Sequence, residues 1–375
     1  RAVWLHRVLQ FSRLGDRPPP QLSYGSPAQS SKCPVVSRAF LFSTMSSNEP
    51  MRFLFTGIVA LAAGFCGGGC SDSPAPSTTF DPLAWERAVD NPVFTTDFVN
   101  NHDAMFFVNH EQEFPYHLIV CSVHGVTQLW RTKTFSWTSA DWQLVDANYS
   151  ISRFYEHDDA IKVGDTYFIF EEARVFTSNR PFEESSGQWV ESGTFPRDID
   201  DVGVFYENGI FHLFGEYGDF PHGPDGTSLA HYTSSSGVGD WTLVDTHAVN
   251  PNPDGGNTFG VGDATITKID DIYYIFCDRE SLGVPYRITA WRSYDIDEPF
   301  EYLGVAIAPR STESDDWDNH RMQDADIEYV PELGGYVMFC NMMDLDGDPQ
   351  KNFPVMTENF SRVIGVLYNT SRDQF

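Results

Sequence analysis

Positive charge is scarce in this chain. Its 375 residues hold 24 Lys+Arg against 53 Asp+Glu, for a formal charge of −29. A chain this negative repels a phosphate backbone and an anionic lipid surface, which excludes nucleic acid as a general partner. Cysteine is sparse as well, with six residues at 33, 66, 70, 121, 277 and 340. Three of them fall in the body of the chain, an odd number, and no CxxC or Cys/His spacing occurs. A full disulfide framework and a cysteine-based zinc site are therefore not implied. The three body cysteines close similar runs (HLIVC, YYIFC, YVMFC), as buried strand thiols do. No 3.6-residue periodicity is sustained, so helices should be few and short. P-loop, GxGxxG, GxSxG and HExxH motifs are all missing, which argues against the corresponding nucleotide, serine-hydrolase and zincin chemistries.

Aromatic and turn-forming residues are abundant: 30 Phe, 16 Tyr and 9 Trp, with 29 Gly and 23 Pro. They favour a turn-rich β protein, and 41% hydrophobic content is enough to bury a large core.

The first 70 residues read as an address. Residues 1–50 are rich in Ser and Arg without a period, and are expected to be unstructured or an upstream extension ahead of a start at Met51. Met51-Arg52 then leads into FLFTGIVALAAGFC, too short for a membrane span and suited to a signal-peptide core. Residues 51–70 are accordingly read as a signal peptide, and 71–84 as a flexible tether. Cys66 and Cys70, following small residues, resemble a bacterial lipoprotein site. Lipidation and simple secretion both remain open; either way the chain is expected to be exported, and membrane contact is expected only through such an anchor. Oligomeric state is not legible. The first 52 residues hold seven of the basic residues and only Asp16 and Glu49, so the remainder is more acidic than the total suggests.

From residue 85 the chain repeats. Asp followed by Ala, Val or Ile recurs at Asp103, Asp159, Asp201, Asp263 and Asp326, each time ahead of a turn and an aromatic-rich strand: HLIVCS, YFIFEE, FHLFGE, YYIFCD and YVMFCN. The turns Val163-Gly164-Asp165, Glu207-Asn208-Gly209, Asp270-Asp271 and Gly334-Gly335 have hairpin chemistry. Third and fourth strands follow in three units, at Leu129–Thr132, His231–Thr233 and Ala290–Ser293, then around Trp142, Trp241 and Tyr302. Four strands per unit and five units predict an all-β fold, a five-bladed β-propeller over residues 85–375 with four antiparallel strands per blade. Stacking around an axis lets neighbouring blades cover faces that no blade can bury alone.

First strands of propeller blades line the central channel, so five Asp at equivalent starts would ring one mouth. Crowded carboxylates cannot all ionise, and a separated acid and base are what glycoside hydrolysis needs. The competing reading is that each Asp caps backbone N–H groups.

The Asp-led inner strand, Gly-containing turn and YYIF-like second strand resemble the five-bladed glycoside hydrolases of family 43 and its relatives, families 32, 62, 68 and 117. The resemblance covers about residues 90–370 and implies a glycoside hydrolase acting on a polysaccharide or oligosaccharide, with no cofactor required. It implies Asp103 as general base, Asp201 as the carboxylate that orients and tunes the acid, and Asp263 where the family carries a Glu acid. Asp is one methylene shorter, so Glu216, Glu172, Glu280 and His320 remain substitute acids. Arg197-Asp198-Ile199-Asp200 replaces the WxPD run usual before the middle Asp. A non-catalytic carbohydrate-binding propeller, lipid-anchored or free, is the alternative.

Around that centre, His102, His157, Asp159, Glu216, Arg279, Trp317, His320, Arg321 and Asp326 are candidate substrate-binding residues. Trp317 stands outside the repeat and is suited to stacking on sugar. Arg279, Arg287 and Arg321 could pair acidic sugar groups or local carboxylates. The run Asp344-Leu345-Asp346-Gly347-Asp348 reads as a surface turn; a structural Ca2+ there is the minority alternative, since no Glu stands at the twelfth position of the loop.

Overall fold

The computed structural model of the chain describes residues 80–88, 101–122, 127–149, 151, 158–180, 182, 186–218, 226–250, 252–253, 260–281, 284–310, 318, 321–345 and 360–371. All of them belong to one compact unit, Pro76–Phe375. Twenty strands form five four-stranded antiparallel sheets. The helical turns among the described residues are two 3-10 pieces, Ser139–Asp141 and Ser186–Gln188.

The first four blades follow the chain. Blade one is β2 (Asn101–Val108), β3 (Tyr116–Ser122), β4 (Thr127–Thr132) and β5 (Gln143–Asp146). Blade two is β6 (Asp159–Val163), β7 (Thr166–Glu171), β8 (Arg174–Ser178) and β9 (Val190–Thr194). Blade three is β10 (Ile199–Glu207), β11 (Ile210–Tyr217), β12 (Ser228–Ser234) and β13 (Thr242–Val249). Blade four is β14 (Gly260–Ile269), β15 (Ile272–Ser281), β16 (Val284–Ser293) and β17 (Glu301–Ile307). Blade five is closed from the other end of the unit: β18 (Arg321–Val330), β19 (Gly335–Leu345) and β20 (Phe360–Asn369) take β1 (Trp85–Arg87) as their outer strand.

Local chemistry explains the hairpins. Two-residue turns need positive φ at both central positions to match strand twist, and Asn, Asp and Gly accept it best. Asn208 and Gly209 have φ of 53° and 86°, and Asp270 and Asp271 have 51° and 64°. Packing explains the ring. Five apolar clusters occur, each drawn chiefly from two neighbouring blades, including one between blades five and one (Phe339 and Ile364 with Phe106 and Trp142). A strand face dense in Phe, Tyr and Ile is thus buried by the next blade, as the hydrophobic effect requires. The repeat tryptophans serve this packing: Trp142 and Trp291 are buried, while Trp130 and Trp241 pack against the clusters. Cys121, Cys277 and Cys340 are buried thiols.

The closing strand is fastened by side chains on both sides. Trp85 meets Phe276 edge-on at 5.5 Å, and Phe80, in the stretch expected as tether, is buried against Trp85, Tyr274 and Tyr336. Arg87 binds the fully buried Asp318, which also takes Arg310 at 3.1 Å, and Arg87 donates to the carbonyl of Ala308 at 2.7 Å.

Candidate active site

Five inner strands (β2, β6, β10, β14 and β18) carry the repeated acids. The second strands set the register. The fourth residues of HLIV, YFIF, FHLF, YYIF and YVMF pair with Ala104, Asp159, Gly203, Thr265 and Asp326 respectively. Asp159 and Asp326 therefore share one level with a Gly and a Thr, whereas Asp201 and Asp263 lie two residues nearer the strand start. The residue of blade five matching Asp201 and Asp263 is Asp324.

This corrects the expectation of one ring of five equivalent Asp. Spacing misled at Asp326 because its hairpin loop, residues 331–334, is two residues longer than those of β10 and β14. Counting back from the second strand therefore landed two residues too late. The backbone confirms the equivalence: Asp201, Asp263 and Asp324 have φ of 48°, 47° and 51°, each inside a register shift of its strand. A left-handed non-Gly residue costs energy and persists where its surroundings impose it. Here a bulge re-aims three carboxylates at corresponding points of three consecutive blades.

The outer layer is an acidic cluster. Asp263 hydrogen-bonds to Asp324 and feels the charges of Asp324, Asp278 and Asp201. A Cβ on Gly262 would lie 2.7 Å from Glu216 Oε2 and 3.2 Å from Asp278 Oδ1, so the glycine is what lets these two acids close over the strand beside Asp263. Burial first, and then these neighbours, push the Asp263 carboxyl well above the ordinary carboxylate range. Asp324 has a different environment. It accepts from Gln323 Nε2 at 3.1 Å on both oxygens and from Asn341 Nδ2 at 2.9 Å. A bond between two carboxyl groups requires one proton, and the donors around Asp324 favour its anionic form. Burial and acidic neighbours thus make Asp263 the carboxyl of the pair that favours the protonated form.

The inner layer is structural in its contacts. Asp159 Oδ2 accepts the Val204 N–H of the next blade at 2.6 Å, and Asp326 Oδ2 accepts the Phe106 N–H of blade one at 2.6 Å. Capping of backbone N–H groups, the competing reading of the repeated Asp, holds for these two. Burial raises Asp326 to about 7, and raises Asp159 and Glu328 in the same direction, with repulsion from Asp326 adding to burial for the latter two.

The remaining candidates divide. Asp103 lies at the irregularity of β2, between His102 and Ala104; the side chains of His102 and Asp103 are outside the described residues, as are His157, Trp317 and His320. Glu216 joins the cluster. Arg279 is buried with its guanidinium 6.0 Å from the Tyr302 ring, and Arg321 is buried 3.9 Å over Tyr286. Glu172 occupies a turn with φ of 42°, and the Glu280 side chain is not among the described ones. Of the acidic run 344–348, residues 344 and 345 end β19 and the rest lies outside the described residues.

Asp324, Asp278 and Asn341 were missed by the repeat count. For the latter two a signal was present: the strands FHLFGE, YYIFCD and YVMFCN each end in a polar residue at one position, namely Glu216, Asp278 and Asn341. A separate cavity of about 360 Å³ lies around Phe114, Arg131, Lys133 and Gln143 in blade one, with Asp141 as its sole carboxylate.

Known structures share this architecture. An α-L-arabinofuranosidase from Podospora anserina, crystallised with cellotriose, superposes with a TM-score of 0.51 at 13% identity, over 78% of this chain and 97% of that one. The catalytic domain of a Coprinopsis cinerea GH62 α-L-arabinofuranosidase gives 0.52 at 10% identity, over 78% and 98%. An α-L-arabinofuranosidase from Lactobacillus brevis gives 0.53 at 9% identity, over 74% and 92%. No family profile and no curated protein matches the sequence. At such identities the likeness is one of fold, and the fold of this chain is the five-bladed propeller of those glycoside hydrolases.

Proposed function

We propose that this protein is an exported glycoside hydrolase acting on a polysaccharide or oligosaccharide at the mouth ringed by Asp201, Asp263 and Asp324. The observation that carries this reading is the cluster of carboxylates around Asp263, in which burial and the neighbouring acids Asp324, Asp278 and Asp201 raise its carboxyl well above the ordinary range. A carboxylic acid kept protonated beside ionised partners is the general acid that glycosidic cleavage needs. Asp263 gives its proton to the glycosidic oxygen as the bond from that oxygen to the anomeric carbon breaks. A water attacks the anomeric carbon and loses its proton to Asp103, placed at the start of the first inner strand. The products are a hemiacetal sugar and the departing alcohol. Asp201 and Asp324 hold negative charge around the acid, and Asp324 orients it. The arabinofuranosidases that share the fold support a glycan substrate, and the apolar run 53–66 supports export.

Hydrolysis of a glycan panel that includes arabinofuranosides, by wild type, Asp263→Asn and Asp103→Asn, tests the assignment. Turnover is expected to fall by about 10²–10⁴-fold in each variant, the usual worth of a general acid or base. Turnover that survives both substitutions overturns the roles. Glycan binding without turnover in the wild type favours a carbohydrate-binding propeller instead.

A further inference from the structure

Away from the acidic mouth, His212 on β11, His231 on β12 and Asp297 in the loop between β16 and β17 converge where blade three meets blade four. His212 Nδ1 and His231 Nε2 are 3.0 Å apart, and the Asp297 carboxylate reaches His212 Nδ1 at 3.9 Å. One potential ligand atom from each of the three lies within 4.8 Å of the others. The two rings are buried and nearly parallel, and Phe214 stacks on His231 at 4.4 Å with 8° between the planes. Asp297 is 62% exposed at its side chain, which leaves the group open to solvent on one side.

We propose that His212, His231 and Asp297 form a binding site for a divalent transition-metal ion of the Zn2+ type, linking blade three to blade four. The chemistry fits. Two imidazoles and one carboxylate, with a fourth position open to water, are a familiar donor set for this class of ion. Metal–nitrogen bonds of about 2.0–2.1 Å hold tetrahedral ligand atoms about 3.3 Å apart, so the histidine pair needs to open by a few tenths of an ångström. Asp297, on an exposed turn, is free to swing inward. Both rings are buried, and neutral imidazole is the ligating form. Asp297 and Glu207 present negative charge to His212, which a cation would meet favourably. His212 lies four residues along β11 from Glu216, roughly 13 Å of strand, so the site is separate from the acidic cluster.

The test is a ZnCl2 titration of the full chain after dialysis against chelator, followed by calorimetry and by the visible absorption of a Co2+-loaded sample. Wild type is expected to take up one ion tightly, with the intense visible bands of a tetrahedral Co2+ centre. Asp297→Asn changes an exposed residue and leaves folding intact. It should weaken binding by more than about tenfold, since even outer-sphere changes at metal sites cost that much. His231→Gln should abolish the site. No zinc uptake by the wild type, or uptake and Co2+ spectrum unchanged in Asp297→Asn, overturns the proposal.

Discussion

Asp263 and Asp324 illustrate how two chemically identical side chains acquire different roles. Amide donors from Gln323 and Asn341 converge on Asp324, whereas burial and three acidic neighbours act on Asp263. The active form of the proposed acid is protonated, so activity should decline as pH rises through its raised pKa. Replacing Asp324 by Asn removes the nearest negative charge and lowers the Asp263 pKa. The alkaline limb of the kcat/KM profile should therefore move to lower pH in Asp324→Asn, and a limb that stays in place would remove Asp324 from the proton-sharing role. None of this was legible in the repeat. Asp201 and Asp263 could be picked out because each opens a strand with a two-residue turn behind it. Asp324 could not, because a loop two residues longer sent the count to Asp326.

At the scale of elements, the inner strands approach so closely that side-chain size is limiting. A Cβ on Gly203 of β10 would lie 2.3 Å from the carbonyl oxygen of Ala264, the residue after Asp263 on β14. Gly203→Ala forces these strands apart and should cost about 1–3 kcal/mol, as overpacking does. Because the displaced strand carries Asp263, kcat should fall even in molecules that remain folded; urea titration and rate measurement on one sample separate the two effects. The closing strand makes a second case. Asp318 is fully buried and pairs with the partly exposed Arg87 of β1 and Arg310, so Asp318→Ala removes the carboxylate that holds both guanidinium groups. A loss of about 1.5–3 kcal/mol is expected by denaturant unfolding, the usual worth of a hydrogen bond to a charged group. Hairpins were readable from Asn208-Gly209 and Asp270-Asp271, since short turns carry their own φ requirement. The place of β1 was not, since three residues reading WER carry no repeat signature and acquire their strand pairing only from β20.

For the whole molecule, the inner-strand carboxylates should make stability depend on pH. Asp326 titrates near the ordinary carboxylate value when unfolded and at about 7 when folded. The folded state binds that proton more tightly, so this group's contribution is complete below about pH 4 and is lost as pH rises through about 7. Asp159 and Glu328 shift in the same direction. The urea midpoint of Asp326→Asn should accordingly fall less between pH 5 and pH 8 than that of wild type. An equal fall in both would show that Asp326 does not carry the raised carboxyl described above.

The sequence by itself determined the number of units, the strand-turn-strand grammar within them and the acidic, aromatic character of the chain, because strand period, turn chemistry and composition are local properties. The tertiary structure decided which acids meet. Bulges at Asp201, Asp263 and Asp324 set three carboxylates at corresponding points of three blades, and the register leaves Asp159 and Asp326 two residues further along their strands, bonded to backbone of the next blade. It also decided that the ring closes through β1 and that His212 and His231 face Asp297 across a blade boundary. Each of these depends on contacts between residues far apart in sequence, and a carboxyl's proton or an imidazole's partner is set by what surrounds it in space.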